Sequence, residues 1–100
     1  IGGFQSQQLA NYLWGCATLG REVPEGLFAR MCARAEERIR EFNSQEVANT
    51  MWACAKMGRA MPEGLEGRMC ARAEELAQDF NPQDVANISW ACAKLGRGVS

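Results

Sequence analysis

The stretch that decides the fold is Phe42-Asn-Ser-Gln-Glu-Val-Ala-Asn-Thr-Met-Trp-Ala-Cys-Ala-Lys-Met-Gly58. Asn43 is a helix N-cap, Ser44 takes the first helical position, and Glu46 stands where a capping box places an acid. Gly58 closes the segment as a left-handed C-terminal cap. Projected at about 100° per residue, Val47, Ala48, Met51, Cys54 and Ala55 share one arc, the expected packing face. Glu46, Asn49, Thr50, Ala53 and Lys56 fall on the other side, with Trp52 on the border. The segment reads as one amphipathic helix.

The same stretch occurs three times. Phe4, Phe42 and Phe80 stand 38 residues apart, as do Trp14, Trp52 and Trp90, and Gly20, Gly58 and Gly96. Aligned without a gap, 4–41 and 42–79 agree at 22 of 38 positions, and 80–97 repeats 42–59 at 13 of 18. The third copy carries Pro82 at the preferred first helical position, followed by Asp84. A second helix is expected from Pro62 to about Gln78, its apolar arc holding Leu65, Met69, Ala73, Leu76 and Ala77. The equivalent places in the first unit are Leu27, Met31, Ala35, Arg38 and Ile39.

Each unit is therefore a helical hairpin with two apolar arcs that it cannot cover alone. Stacked neighbours share those arcs. The expected architecture is all-α: an α-solenoid of tandem 38-residue helix-turn-helix repeats, with five helices in about two and a half repeats. Unit 1 spans 4–41, unit 2 spans 42–79, and 80–100 holds the first helix of unit 3. Neither end reads as a polar cap, so the chain is expected to be part of a longer array.

Composition narrows the chemistry. The 100 residues carry 11 Lys and Arg against 12 Asp and Glu, a net charge of −1, which excludes a strongly basic nucleic-acid binder. With no His, there is no Ser/His/Asp triad, Cys/His dyad or His-ligated metal site. We expect no enzyme activity, no catalytic or metal-binding residues and no cofactor. Cys16, Cys32, Cys54, Cys70 and Cys92 alternate at gaps of 16 and 22, which is the repeat period and not the short spacing of a zinc site. They read as buried or half-buried packing residues, unpaired within a hairpin because the antiparallel register offsets them. No apolar run approaches the ~20 residues of a membrane span.

The run Phe-Asn-Pro-Gln-Asp-Val-Ala-Asn-x-x-Trp-Ala-Cys-Ala-Lys-Leu-Gly at 80–96, on a 38-residue period, resembles the octotricopeptide repeat. It is more loosely similar to the heptatricopeptide and RAP-associated repeats. The likeness covers residues 4–97. The family's second helix opens on Pro-Glu-Trp-Leu; here Gly26 and Gly64 stand at the tryptophan position, in Pro-Glu-Gly-Leu. The resemblance implies a role in organellar gene expression, in a mitochondrion or plastid. Such arrays are similar to pentatricopeptide proteins and bind single-stranded RNA at roughly one nucleotide per repeat.

On that reading the polar face of the first helix is the reader. The candidates are Gln8, Asn11 and Tyr12 in unit 1, Glu46, Asn49, Thr50 and Lys56 in unit 2, and Asp84, Asn87, Ile88 and Lys94 in unit 3. An asparagine amide offers both donor and acceptor to a base edge, Tyr12 a stacking ring, and the two lysines a charge for phosphate. Asn11, Asn49 and Asn87 are constant, whereas Tyr12, Thr50 and Ile88 vary and so are the positions able to discriminate. The structural alternative is that the asparagines bond a neighbouring backbone. The tryptophans read as packing between repeats, and Arg34 and Arg72 as ion-pair partners of Glu37 and Glu75 one turn on. Arg21, Arg59 and Arg97 follow the closing glycines, where they complement a helix C-terminus. The competing function is a protein-binding scaffold, or a structural subunit of an organellar ribosome or another large organelle complex.

Overall fold

The computed structural model describes residues 5–94. Five α-helices follow one another: α1 (Ser6–Leu19), α2 (Glu25–Glu37), α3 (Ser44–Met57), α4 (Glu63–Glu75) and α5 (Pro82–Lys94). Short 3-10 turns, Ile39–Glu41 and Ala77–Asp79, follow α2 and α4. Among the described residues there is no strand. Phe4, Gly96 and Arg97 lie outside the described residues.

Capping residues set the helix ends. The amide of Glu46 donates to Asn43 Oδ1 at 2.8 Å, and the amide of Asn43 donates to Glu46 Oε1 at 3.0 Å. Asp84 and Asn81 repeat the exchange at 2.7 and 3.4 Å. At the other end, Gly20 and Gly58 adopt left-handed backbone (φ 73° and 70°). The amides of Arg21 and Arg59 then donate to the carbonyls of Cys16 and Cys54, each at 2.9 Å, satisfying groups the helix leaves free.

The second helices are shorter than the sequence predicts. Pro62 is extended (φ −54°, ψ 148°) and precedes the helix, and the chain tightens to a 3-10 turn after Leu76. In unit 1 the same turn releases carbonyls that a later residue takes. Arg72 Nε donates to Phe42 O and its Nη2 to Arg40 O, both at 2.9 Å, while Nη1 pairs with Glu75 at 3.0 Å. One guanidinium thus joins α4 to the turn thirty residues earlier.

The helices lie in two rows. α3 packs between α1 and α5, and α4 packs beside α2 and against the first 3-10 turn. The core between the rows holds Leu9, Leu13, Val23, Met31, Phe42, Val47, Met51, Leu65 and Met69. Val47 is 0% exposed and Val85, in the same register, 49%, because among the described residues no second helix covers α5. Arg59 also links the units: its Nη1 donates to Val23 O at 2.6 Å and its guanidinium lies 4.4 Å from the Phe28 ring centroid. The hydroxyls of Ser6 and Ser44 donate to the carbonyls of Glu41 and Asp79, tying each first helix to the end of its own unit. A Cβ on Gly64 would stand 3.2 Å from Glu36 Oε2, so a larger residue here would require the Glu36 carboxylate to shift by a few tenths of an ångström.

Arg72→Ala is expected to cost about 1–2 kcal/mol in urea denaturation, since it removes the partner of the part-buried Phe42 carbonyl as well as the exposed bonds to the Arg40 carbonyl and Glu75. Arg68→Ala, which loses only the exposed bridge to Glu36, is expected to cost under ~0.5 kcal/mol. Equal effects of the two substitutions would remove the special role of Arg72.

Candidate functional site

The first helices form a row with their sides touching, so each interior helix is covered on three sides. This changes which residues meet solvent. Thr50 is 2% exposed and Ala53 0%; these two members of the flank assigned to the reader by helical projection are buried, while Asn49 and Lys56 are not. Thr50 Oγ1 has no hydrogen-bond partner among the described residues. Ile88, at the same register, is half-buried against the core, and only Tyr12 is exposed, at 39%. A hydrogen bond with Cys16 holds the Tyr12 phenol above its ordinary pKa.

Three further candidates are engaged locally. Glu46 and Asp84 are the acids of the capping boxes, and Gln8 Oε1 accepts from the Gln5 amide at 2.9 Å. Their side chains hold helix starts, and Asp84 is buried.

One narrow column stays open along each helix, and α1 and α5, each with a single first-helix neighbour among the described residues, expose Tyr12, Leu19 and Val85 besides. In α3 the column runs Gln45, Asn49, Trp52, Lys56, at i, i+4, i+7 and i+11, the spacing that keeps one face of a helix. In α5 it runs Gln83, Asn87, Trp90, Lys94, and in α1 Gln7, Asn11, Trp14, Thr18. The sequence reading passed over Gln7, Gln45 and Gln83. Their signal was present, as an identical residue at every 38-residue step.

Side by side, the columns make transverse rows. Trp14 and Trp52 have ring centroids 4.3 Å apart at 36°, and Trp52 and Trp90 are 6.1 Å apart at 37°, a tilted stack joining all three units. It supports the packing role, although Trp90 stays 40% exposed with Lys94 Nζ 6.0 Å from its ring centroid. One turn before the tryptophans, Asn11, Asn49 and Asn87 line a groove of about 410 Å³ with Gln45, Gln83 and Trp14. Asn81 and Asp84 close its rim. Among the described residues no side-chain hydrogen bond satisfies the three asparagine amides. The alternative in which they bond a neighbouring backbone is therefore absent there.

Charge is segregated between the rows. Helix α1 carries no charged residue, α3 only Glu46 and Lys56, and α5 only Asp84 and Lys94. The second helices and their turns hold the ion pairs Arg34 to Glu37 (3.3 Å), Arg38 to Glu41 (2.6 Å), Arg72 to Glu75 (3.0 Å) and, between units, Arg68 to Glu36 (3.2 Å).

The cysteines take no part in this face as reactive groups. All five are free; Cys16, Cys32 and Cys54 are buried, Cys70 and Cys92 half-buried. Burial pushes the Cys32 thiol up to about 11 and the Cys54 thiol up to about 12, against an ordinary 9.0, with Arg59 opposing both shifts. Among the described residues no group of Cys, Asp and Glu is placed to hold a metal, and no helix is long and apolar enough to cross a membrane.

A family model described as a protein of unknown function (DUF1601) matches residues 38–51 and 77–88. Both stretches cover a 3-10 turn and the opening of the next first helix, one repeat apart. No curated protein and no solved structure matches the chain.

Two measurements check this arrangement. Thr50→Val removes a buried, unpartnered hydroxyl at nearly constant shape and is expected to stabilise the chain by about 1 kcal/mol; a loss of that size would mean that the hydroxyl is bonded. The raised thiols favour the protonated, folded state, so their contribution to stability is constant below pH 9 and is lost as pH rises through 9 to 12. Urea midpoints for the parent and for Cys32→Ala/Cys54→Ala should converge in their pH slopes below 9 and diverge above it.

Proposed function

We propose that the chain is a segment of an α-solenoid that binds single-stranded RNA across the solvent face of its first helices. It acts by binding and not by catalysis, and in the setting the octotricopeptide resemblance implies, the expression of transcripts in a mitochondrion or plastid. The observation that carries the reading is the row of Asn11, Asn49 and Asn87, unbonded and repeated once per unit along one groove. Asn11 is exposed and Asn49 and Asn87 are half-buried, so their amides are open to solvent and free to pair with a ligand that offers donors and acceptors at a matching interval. Splayed bases of a single strand present such edges, and a repeat array meets them one unit at a time.

Lys56 and Lys94 end two of the columns, where they serve a phosphate path beside the bases. With only these two cations on the face among the described residues, affinity rests on the amides more than on counterion release. The same scarcity of charge is what favours the second reading, a scaffold whose groove holds a partner protein within an organellar ribosome or other large complex.

The test is selection from a random single-stranded RNA pool followed by binding over a salt series. Enrichment is expected, with log K falling against log salt at a slope of about −1.4, two phosphates at about 0.7 each. Asn49→Ala is expected to weaken RNA binding by about tenfold and to change the urea midpoint by under ~0.5 kcal/mol. Absence of enrichment would assign the groove to a protein partner, and a stability loss above ~1 kcal/mol with binding unchanged would return Asn49 to a structural role.

A further inference from the structure

We infer that the pocket between the closing ends of α1 and α3 is a binding site for a phosphate group, held by Arg21, Lys56 and Arg59. The inference stands on the lining of that pocket and does not need the RNA reading. The pocket, of about 380 Å³, lies where units 1 and 2 meet, and Lys56 belongs both to it and to the open column of α3. Three cations line it against one carboxylate, that of Glu22. Among the described residues Glu22 makes no ion pair with any of the three, and the side chains of Arg21 and Lys56 make no hydrogen bond or ion pair. The second row is the reverse: Arg34, Arg38, Arg68 and Arg72 each meet a carboxylate at 2.6–3.3 Å.

The helix ends do not use up these charges. The carbonyls of Cys16 and Ala17 accept from the amides of Arg21 and Gly20, and those of Cys54 and Ala55 from the amides of Arg59 and Gly58. The closing turns are thus bonded by backbone alone, and no cationic side chain is needed there as a donor. Arg59 is fixed in place, its Nη1 on Val23 O and its guanidinium over the Phe28 ring, which occupies one of its five N–H groups. Arg21 and Lys56 are exposed and free to adjust. One fixed guanidinium with two adjustable charges suits a compact anion that has acceptor oxygens on several sides. Phosphate has this shape and charge, and Arg and Lys are its usual partners, the first as a fork and the second as a point charge. Close approach of three cations is unfavourable until an anion lies between them. The phosphate is either a backbone group of an RNA strand lying on the α3 column or part of a small phosphorylated ligand.

The experiment follows the backbone amide NMR shifts of this chain as inorganic phosphate is added, with chloride holding the ionic strength constant. Saturable shifts are expected at residues 20–22 and 56–59, half complete at millimolar phosphate, with acetate binding more weakly. Arg21→Gln and Lys56→Gln are each expected to weaken phosphate binding by about fivefold, the effect of one unit charge at contact distance in water. Arg30→Gln, which removes an exposed charge of α2 outside the pocket, is expected to leave it unchanged. Shifts that do not saturate, acetate binding as tightly as phosphate, or binding insensitive to both pocket substitutions would overturn the site. A second arm adds a mixed-sequence RNA 12-mer with a 5′-hydroxyl to the phosphate-loaded chain. Displacement of phosphate from the same residues assigns the site to the RNA backbone. Phosphate binding that the RNA leaves in place keeps the site, assigns it to a small phosphorylated ligand and counts against the RNA reading alone.

Discussion

Everything about the candidate face follows from how closely the first helices stand side by side. Ala10, Ala48, Ala53, Ala55 and Ala91 are fully buried. Small side chains let helices approach to the short end of the usual interaxial range. That approach brings Trp14 and Trp52 to 4.3 Å, seals Thr50 away from solvent and leaves α3 a single column of exposed residues. A larger residue at Ala53 would separate the helices, open the tryptophan stack and broaden the groove together.

The period was legible as identities 38 residues apart, and the helix-closing glycines, the capping boxes at Asn43 and Asn81, and the pairs Arg34 to Glu37 and Arg72 to Glu75 were legible because each depends on residues within a turn of one another. So was the burial of Cys16, Cys32 and Cys54, which follows from the apolar arcs. Thr50 was not legible. A helical projection divides a single cylinder into inside and outside, whereas α3 has neighbours on both flanks as well as the second row beneath it. The clamp by Arg72 was hidden for a related reason: its partners at Phe42 and Arg40 are carbonyls exposed only by a 3-10 turn in the previous unit. Gln7, Gln45 and Gln83 were visible as a constant residue, but next to the capping positions they drew no attention until the column showed them facing out.

The net charge of −1 conceals a division between the two rows. Of the 23 residues that are Lys, Arg, Asp or Glu, four lie on α1, α3 and α5, and two of those four cap helices. The rest belong mostly to the second helices, their turns and the loops, where Arg34, Arg38, Arg68 and Arg72 are bridged to carboxylates. Summed charge therefore describes the row that pairs with itself. It says little about the amide face, whose polarity carries no sign.

An amide face of this kind works differently from a basic one. A cationic groove gathers a strand by long-range attraction and holds it with little regard to sequence, at a strength that falls steeply with salt. Amides act only at hydrogen-bond distance, so binding is less steeply dependent on salt than in a basic groove, but each contact depends on which base edge is present. Each unit then contributes a modest term, and the ordering cost of the strand falls mainly on the first contacts. Binding strength and selectivity consequently grow together with the number of consecutive units engaged. On the proposed RNA reading, three columns would give a short reading frame, and the packing of α3 between its two neighbours would keep that frame in step from one unit to the next.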